Sequence, residues 1–444
     1  ADGGKISRMA FSNLGRNKGK TVIVIVSLSL AIVLLNSIFT FTNAFDMDKY
    51  LANFVSSDFV IANAKYFNSE YSARKEELQE SNLTESFIEA CEEQEGFEKG
   101  GRIYAATDQV GVKISDYKIP KNMPVNENGE LCWMWNGEKI PVTKLNEENY
   151  QTMYYGVDDF LFEKMEVYEG EKDLDVIKEK LATGNYLLYA VSTDDNGMVR
   201  KEDMVHHAGD KVTLSFPNGE EREVEIISVI KENYYGLSTR YSVIFPYYTT
   251  AEVFRKDLSE DYLMSYSFDV RDDREEAIQQ FVKNYSEKTE PTMNYESKLK
   301  WSNEFESLKG MFTIIGCFLT FVVAVIGILN FINAILTSIV TRLRELAMLE
   351  SIGMTKKQII KMLTLEGIYY AGFTMISSLL IGMLMSVTIL RVLTSQIWFM
   401  KYQFVIWPML VTFPFLLVLG WLVPKAAYHF QGKKSMIEQL KNAD

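Results

Sequence analysis

Charge is what four stretches of this 444-residue chain lack: Thr21–Phe45, Gly310–Val340, Leu365–Leu390 and Gln403–Val423 hold one charged residue between them, Glu366. About 20 apolar residues cross a bilayer core roughly 30 Å thick, and each run reaches that length. This excludes an ordinary soluble protein, although 24% charged residues and a mean hydropathy of -0.05 would suit one. Catalytic side chains are also missing at useful spacings. His206 and His207 are adjacent, so their side chains diverge in a strand or a helix, and no cysteine or carboxylate pattern around them suits zinc. Gly15-Arg-Asn-Lys-Gly-Lys-Thr21 is one residue short of a phosphate loop and leads straight into an apolar run. With no nucleophile elbow and no dinucleotide fingerprint, a membrane-anchored enzyme is disfavoured, and any energy source belongs to another chain.

The charges that exist are unevenly placed. Residues 46–309 carry 53 acids against 30 bases, a net of -23, while the other 180 residues carry 6 acids and 16 bases, a net of +10. Basic flanks stay on the cytoplasmic side of a membrane. Lys5, Arg8, Arg16, Lys18 and Lys20 precede the first run, Arg342, Arg344, Lys356, Lys357 and Lys361 lie between the second and third, and Lys425, Lys433, Lys434 and Lys441 follow the fourth. The expected fold is therefore an α-helical membrane protein: four transmembrane helices with a large extracellular α+β domain between helices 1 and 2. The expected divisions are a cytoplasmic amphipathic leader (1–20), spans at 21–45, 310–340, 365–390 and 403–424, the extracellular domain with helical stalks (46–309), cytoplasmic coupling helices (341–364), a short outer loop (391–402) and a cytoplasmic tail (425–444). Both termini are expected in the cytoplasm of a multi-pass cell-membrane protein. The first run is too long for a signal peptide's apolar region and no A-x-A-like site follows it. The chain starts at Ala1 rather than Met, which leaves open a processed piece or one half of a longer protein.

In the leader, Ile6, Met9, Ala10 and Leu14 recur at helical spacing, with Arg8, Asn13 and Arg16 off that face. Such a helix before a span is expected to lie in the membrane interface. The domain reads as strands at Asp58–Ala64, Arg102–Thr107, Gln151–Val157, Tyr186–Val191, Lys211–Phe216, Glu223–Ile230 and Tyr241–Phe245. Helical spacing marks Thr84–Gln94, Asp158–Val167, Leu174–Leu181, Thr250–Lys256 and Arg274–Ser286, and Phe216-Pro-Asn-Gly-Glu220 signals a hairpin. Asp46–Phe54 is expected to continue the first span, and Asn294–Lys309 to lead helically into the second. Cys91 and Cys132 share the outer domain, where a disulfide and two separate buried thiols are both open. Its acidity either attracts cationic peptides, an effect salt would weaken, or merely keeps it soluble.

Small and polar residues form stripes in the spans: Ser29, Asn36, Thr40 and Asn43 in the first, Gly316, Thr320, Gly327, Asn330 and Ala334 in the second. Helix packing in lipid favours such residues, and a solute pathway would usually bring ionisable groups as well. Between the second and third spans, Arg342–Ser351 reads as a short helix with an apolar face of Leu343, Leu346, Ala347 and Leu349. Gly353 ends it, and Thr355 is positioned to cap the next helix. A helix–turn–helix there is a lever facing a cytoplasmic partner, or an ordinary inner loop.

Arg342-Leu-Arg-Glu-Leu-Ala-Met-Leu-Glu-Ser-Ile-Gly-Met-Thr-Lys-Lys-Gln358, followed by Leu365-Glu-Gly367, resembles the signature of FtsX/MacB-like (type VII, mechanotransmission) ABC transporter permeases. Ala10–Lys20 is similar to the family's leader, Ile326–Asn333 to its second span, and Ser435–Lys441 to its C-terminal end. The resemblance implies a non-catalytic permease subunit, or one half of a longer permease, driven by a cytoplasmic ABC ATPase dimer that binds ATP and Mg, with no cofactor in this chain. It implies a second permease unit as well (homodimer, heterodimer or the other half of the same polypeptide), membrane lipids as partners and no nucleic acid. ATP hydrolysis would move the outer domain to export or remove peptides, antibiotics or lipid-linked substrates. Some relatives instead switch an extracellular cell-wall hydrolase or a sensor kinase without transport. Carried onto this chain, the ATPase-coupling residues are Arg342, Arg344, Glu345, Leu346, Met348, Leu349, Ser351, Ile352, Gly353, Met354 and Thr355.

Overall fold

The computed structural model describes residues 3–16, 18–67, 83–116, 124–135, 138–194, 196–201, 204–231, 246–258 and 262–441. The chain divides into two compact units, one formed by Ala1–Asp46 with Glu306–Asp444, the other by Met47–Phe305.

Among the described residues, four helices are long and apolar enough to cross a membrane: Lys18–Asn43, Lys298–Thr341 (which starts in the other unit), Lys356–Ser395 and Trp407–Phe430. The third contains a π-helical turn, Ser386–Leu390. The chain is thus a four-span membrane protein with an α+β domain between its first and second spans. The leader forms the helix Gly3–Arg16. It buries Ile6, Ala10 and Leu14, as its periodicity predicts, while Met9 stays exposed. That face packs into a core shared by all four spans, with Val24 and Leu28 from the first, Phe331 and Ile335 from the second, Met362 and Leu363 from the third and Ala427 from the fourth. One face of the leader is thus seated on the spans.

The first span does not run on as a helix. It ends at Asn43, Phe45 forms an isolated antiparallel bridge with Met400, and a separate helix spans Met47–Phe54. Two backbone hydrogen bonds hold that break, from Asp46 N to Phe399 O (3.1 Å) and from Lys401 N to Ala44 O (2.7 Å).

The Met47–Phe305 unit is built on one sheet. Its strands are β1 (Phe59–Asn63), β2 (Phe97–Lys113), β5 (Asn149–Val157), β6 (Val167–Gly170), β7 (Tyr186–Val191), β8 (Lys211–Ser215), β9 (Glu221–Lys231), β10 (Pro246–Thr250), β11 (Leu263–Val270) and β12 (Met293–Ser297), while β3 (Cys132–Trp135) and β4 (Glu138–Pro141) form a separate hairpin. The order is β12-β1-β11-β2-β5-β10-β7-β9-β6, with β8 pairing both β2 and β9. β5/β10 and β7/β9 are parallel.

Alternation puts a core on each face. In β5, Tyr150 and Tyr154 join one cluster, and Met153, Tyr155 and Val157 the other. Helices Glu85–Glu92 and Glu275–Lys288 cover the first through Phe87, Ile88, Ile278 and Val282; Leu174–Ala182 covers the second through Ile177 and Leu181. Asp173 caps that last helix, its carboxylate accepting from Asp175 N and Val176 N.

Two expectations need correction. Asp158–Val167 is helical only over Asp159–Phe162, and Val167 opens β6. Asn294–Lys309 is not helical throughout, because Asn294 to Ser297 belong to β12 and pair with β1. Of the two readings open for Cys91 and Cys132, the structure has the separate buried thiols: both are free, Cys91 inside the first core and Cys132 with its thiol 3.3 Å from Glu130 O. The strand expected at Tyr241–Phe245 lies outside the described residues.

Candidate coupling site

The segment between the second and third spans is a helix, Leu343–Ser351, set off from Thr341 by one non-helical residue, Arg342 (φ -110°, ψ 9°). It ends in a tightly specified turn. Gly353 has φ +107°, a conformation that costs any residue with a Cβ. Its N–H bonds Glu350 O (3.1 Å), while Met354 N–H reaches back to Leu349 O (2.9 Å), the paired bonds that close a helix with a left-handed residue. Thr355 then starts the next helix with reciprocal caps. Its Oγ1 accepts from Gln358 N (3.3 Å), and Gln358 Oε1 accepts from Thr355 N (2.8 Å). Helix, turn and helix are therefore fixed locally by backbone chemistry.

The structure divides the eleven residues assigned to this element. Arg342 and Leu346 face inward, 8% and 3% exposed, and Leu349 and Met354 pack against the shared core of the spans. Arg344, Met348, Ser351, Ile352, Gly353 and Thr355 face outward, with Ile352 83% exposed. Of the expected apolar face, Leu346 alone is fully buried, and Leu343 and Ala347 are exposed.

Charged groups brace the helix from within. Arg342 Nη1 donates to both oxygens of Glu366, at 3.1 and 3.3 Å, and Glu366 is 4% exposed. Asn13 Nδ2 in the leader donates to Glu366 Oε1 at 2.6 Å. Three residues along the leader, Arg16 grips Glu345 with both Nη atoms, Nη1 to Oε2 at 2.9 Å and Nη2 to Oε1. Arg342 Nε lies 3.5 Å from Glu345 Oε2, which joins the two pairs. The hydrogen bond from Arg16, and then the charges of Arg16 and Arg342, hold the Glu345 carboxyl below the usual range; the same bond raises Arg16. A cavity of about 20 Å³, room for a single water, lies against Asn13, Lys20, Glu366 and Tyr370.

Sequence reasoning missed Asn13, Arg16 and Glu366 as members of this site. Glu366 carried the signal, since the one ionisable residue in four apolar runs needs a partner.

The striped residues of the spans sit at helix contacts. Ser29 Oγ donates to Thr374 O (3.3 Å), and Asn330 Nδ2 to Ser27 Oγ (3.2 Å). Gly316 lies against Ile38, Gly327 against the backbone of Ser27, and Asn36 and Thr320 are buried.

The model of the FtsX-like permease C-terminal family matches residues 317–433, the stretch that holds this helix and the spans around it. Among solved structures, the chain is similar to the periplasmic region of MacB from Actinobacillus actinomycetemcomitans, at 11% identity over 57% of this chain and 94% of that one, with a TM-score of 0.30. It is similar also to the extracellular domain of the noncanonic ABC-type transporter YknZ from Gram-positive bacteria, at 11% identity over 54% of this chain and 99% of that one, with a TM-score of 0.28. None of the curated proteins compared matches the sequence.

Proposed function

We propose, for a chain whose residues 317–433 match the model of the FtsX-like permease C-terminal family, that it is the membrane subunit through which a separate cytoplasmic ABC ATPase moves a domain on the far side of the bilayer. The observation that carries this reading is the tip of the coupling helix. Met348 and Ile352, one turn apart, expose their side chains at the end of a helix closed by the Gly353 turn and followed by a capped second helix. Apolar side chains on a rigid, solvent-facing helix suit insertion into a groove of a partner. The basic residues beside them, Arg344, Lys356 and Lys357, favour the cytoplasmic side for this tip, and so favour both termini inside and the acidic domain outside.

In this reading ATP and Mg are bound by the ATPase dimer, which meets two such tips, one from a second permease unit. The work done outside is export or removal of peptides, antibiotics or lipid-linked substrates. Met348→Asp/Ile352→Asp, expressed with the partner ATPase, tests the docking. Such central apolar anchors carry much of an interface's energy, so retained ATPase on the purified membrane subunit should fall about tenfold or more. The melting temperature of the membrane subunit should not move, since both side chains are exposed. Full ATPase retention and unchanged coupled turnover would remove the tip from the mechanism.

A further inference from the structure

We infer that the leader helix Gly3–Arg16 is a clasp that sets the angle of the helix Leu343–Ser351, with Arg16–Glu345 as its releasable limb and Arg342–Glu366–Asn13 as its permanent one. The geometry begins at the joints. The helix Leu343–Ser351 connects to the second span through the single non-helical residue Arg342, and to the third through Gly353 and Met354. Neither joint carries a continuous helical hydrogen-bond ladder, so side-chain contacts act together with the backbone turn at Gly353 in setting how the short helix lies. Leu346 supplies one buried contact, and Glu345, on the adjacent position, supplies the ionic one.

The leader meets both sides of this arrangement from one face. Asn13 and Arg16 are three residues apart and so project together. Asn13 reaches Glu366 in the third span, and Arg16 reaches Glu345 in the short helix. The leader itself is seated by Ile6, Ala10 and Leu14 in the shared core and by Phe11 edge-on to Tyr369, with ring centroids 5.7 Å apart. It cannot follow the short helix without leaving that seat.

The two limbs differ in solvent access. Arg342 and Glu366 side chains are 10% and 5% exposed, and a buried pair is costly to part because each charge would be left uncompensated. Arg16 and Glu345 are 61% and 34% exposed, where water and salt replace a lost partner readily. A tilt of the short helix therefore parts Arg16 from Glu345 first and leaves Arg342 on Glu366 as the pivot. The consequence for coupling rests on the function proposed above; the clasp itself rests on contacts within this chain.

The test uses the full chain in lipid nanodiscs, alone and with its ATPase, as Arg16→Glu, Glu345→Arg and the double exchange. Amide hydrogen exchange of residues 343–351 in the chain alone should quicken about threefold to fivefold in each single variant and return to the wild-type rate in the double. Unchanged exchange in the single variants, or no recovery in the double, overturns the clasp. With the ATPase present, coupled turnover should drop in both single variants and recover in the double. If exchange responds as expected and turnover does not, the clasp stands and the coupling role of the helix falls.

Discussion

Gly367 in the third span and Gly420 in the fourth lie backbone against backbone: a Cβ on Gly420 would stand 2.6 Å from Gly367 O, and one on Gly367 would overlap Gly420 O and come within 2.8 Å of Pro424 Cγ. The obstruction is main chain, which cannot swing aside as a side chain could. Gly420→Ala and Gly367→Ala should each push the two helices apart and lower stability by about 1–3 kcal/mol. Gly372→Ala, in the same helix as Gly367 but with nothing within 4 Å of its added carbon, is the control. Thermal unfolding of the purified chain in detergent checks this, and equal melting temperatures for all three variants would contradict the close crossing.

The Arg342–Glu366 pair leads to a second expectation. Removing one partner leaves a buried charge without its main counterion, Arg342 keeping only Glu345 at 3.5 Å and Glu366 only the amide of Asn13, a loss of about 3 kcal/mol. Arg342→Leu and Glu366→Leu should each lower the melting temperature strongly, while the double substitution should be milder than either single one. Additive losses in that cycle would mean that the two side chains do not interact.

Cys91 gives a chemical readout. Burial, with a smaller effect of Glu92, pushes its thiol up to about 12. At pH 8 only about one molecule in ten thousand then carries the reactive thiolate. Iodoacetamide should leave Cys91 unmodified in the folded chain, and denaturation without reductant should release three alkylatable thiols. A single reactive thiol after denaturation would point to a Cys91–Cys132 bridge.

What the sequence revealed and what it hid divide by range. The leader's apolar face was legible because Ile6, Ala10 and Leu14 repeat locally, and the turn at Gly353 and the cap at Thr355 because their chemistry spans a few residues. The partners of Asn13 and Arg16 were not legible, since Glu366 and Glu345 lie 353 and 329 positions away. The break after the first span was hidden for the same reason. Ala44 to Asp46 suit a helix locally, yet Phe399 and Lys401, from the other end of the chain, offer backbone partners that a continuing helix would forgo. Likewise Asn294–Ser297 follow β1 rather than their own helical tendency. The inward turn of Arg342 was missed because a basic residue near a membrane exit is ordinarily read as solvated.

Phe59 and Ser297 are paired neighbours in β1 and β12, so the polypeptide enters and leaves this sheet about 5 Å apart. The helical approaches behave alike: Phe54 stacks on Trp301 at 4.1 Å, and Tyr50 meets Phe305 at 4.8 Å. Residues 47–305 therefore make a cassette whose ends are already zipped together. A gene fragment bounded there should yield a water-soluble product that needs no artificial closure.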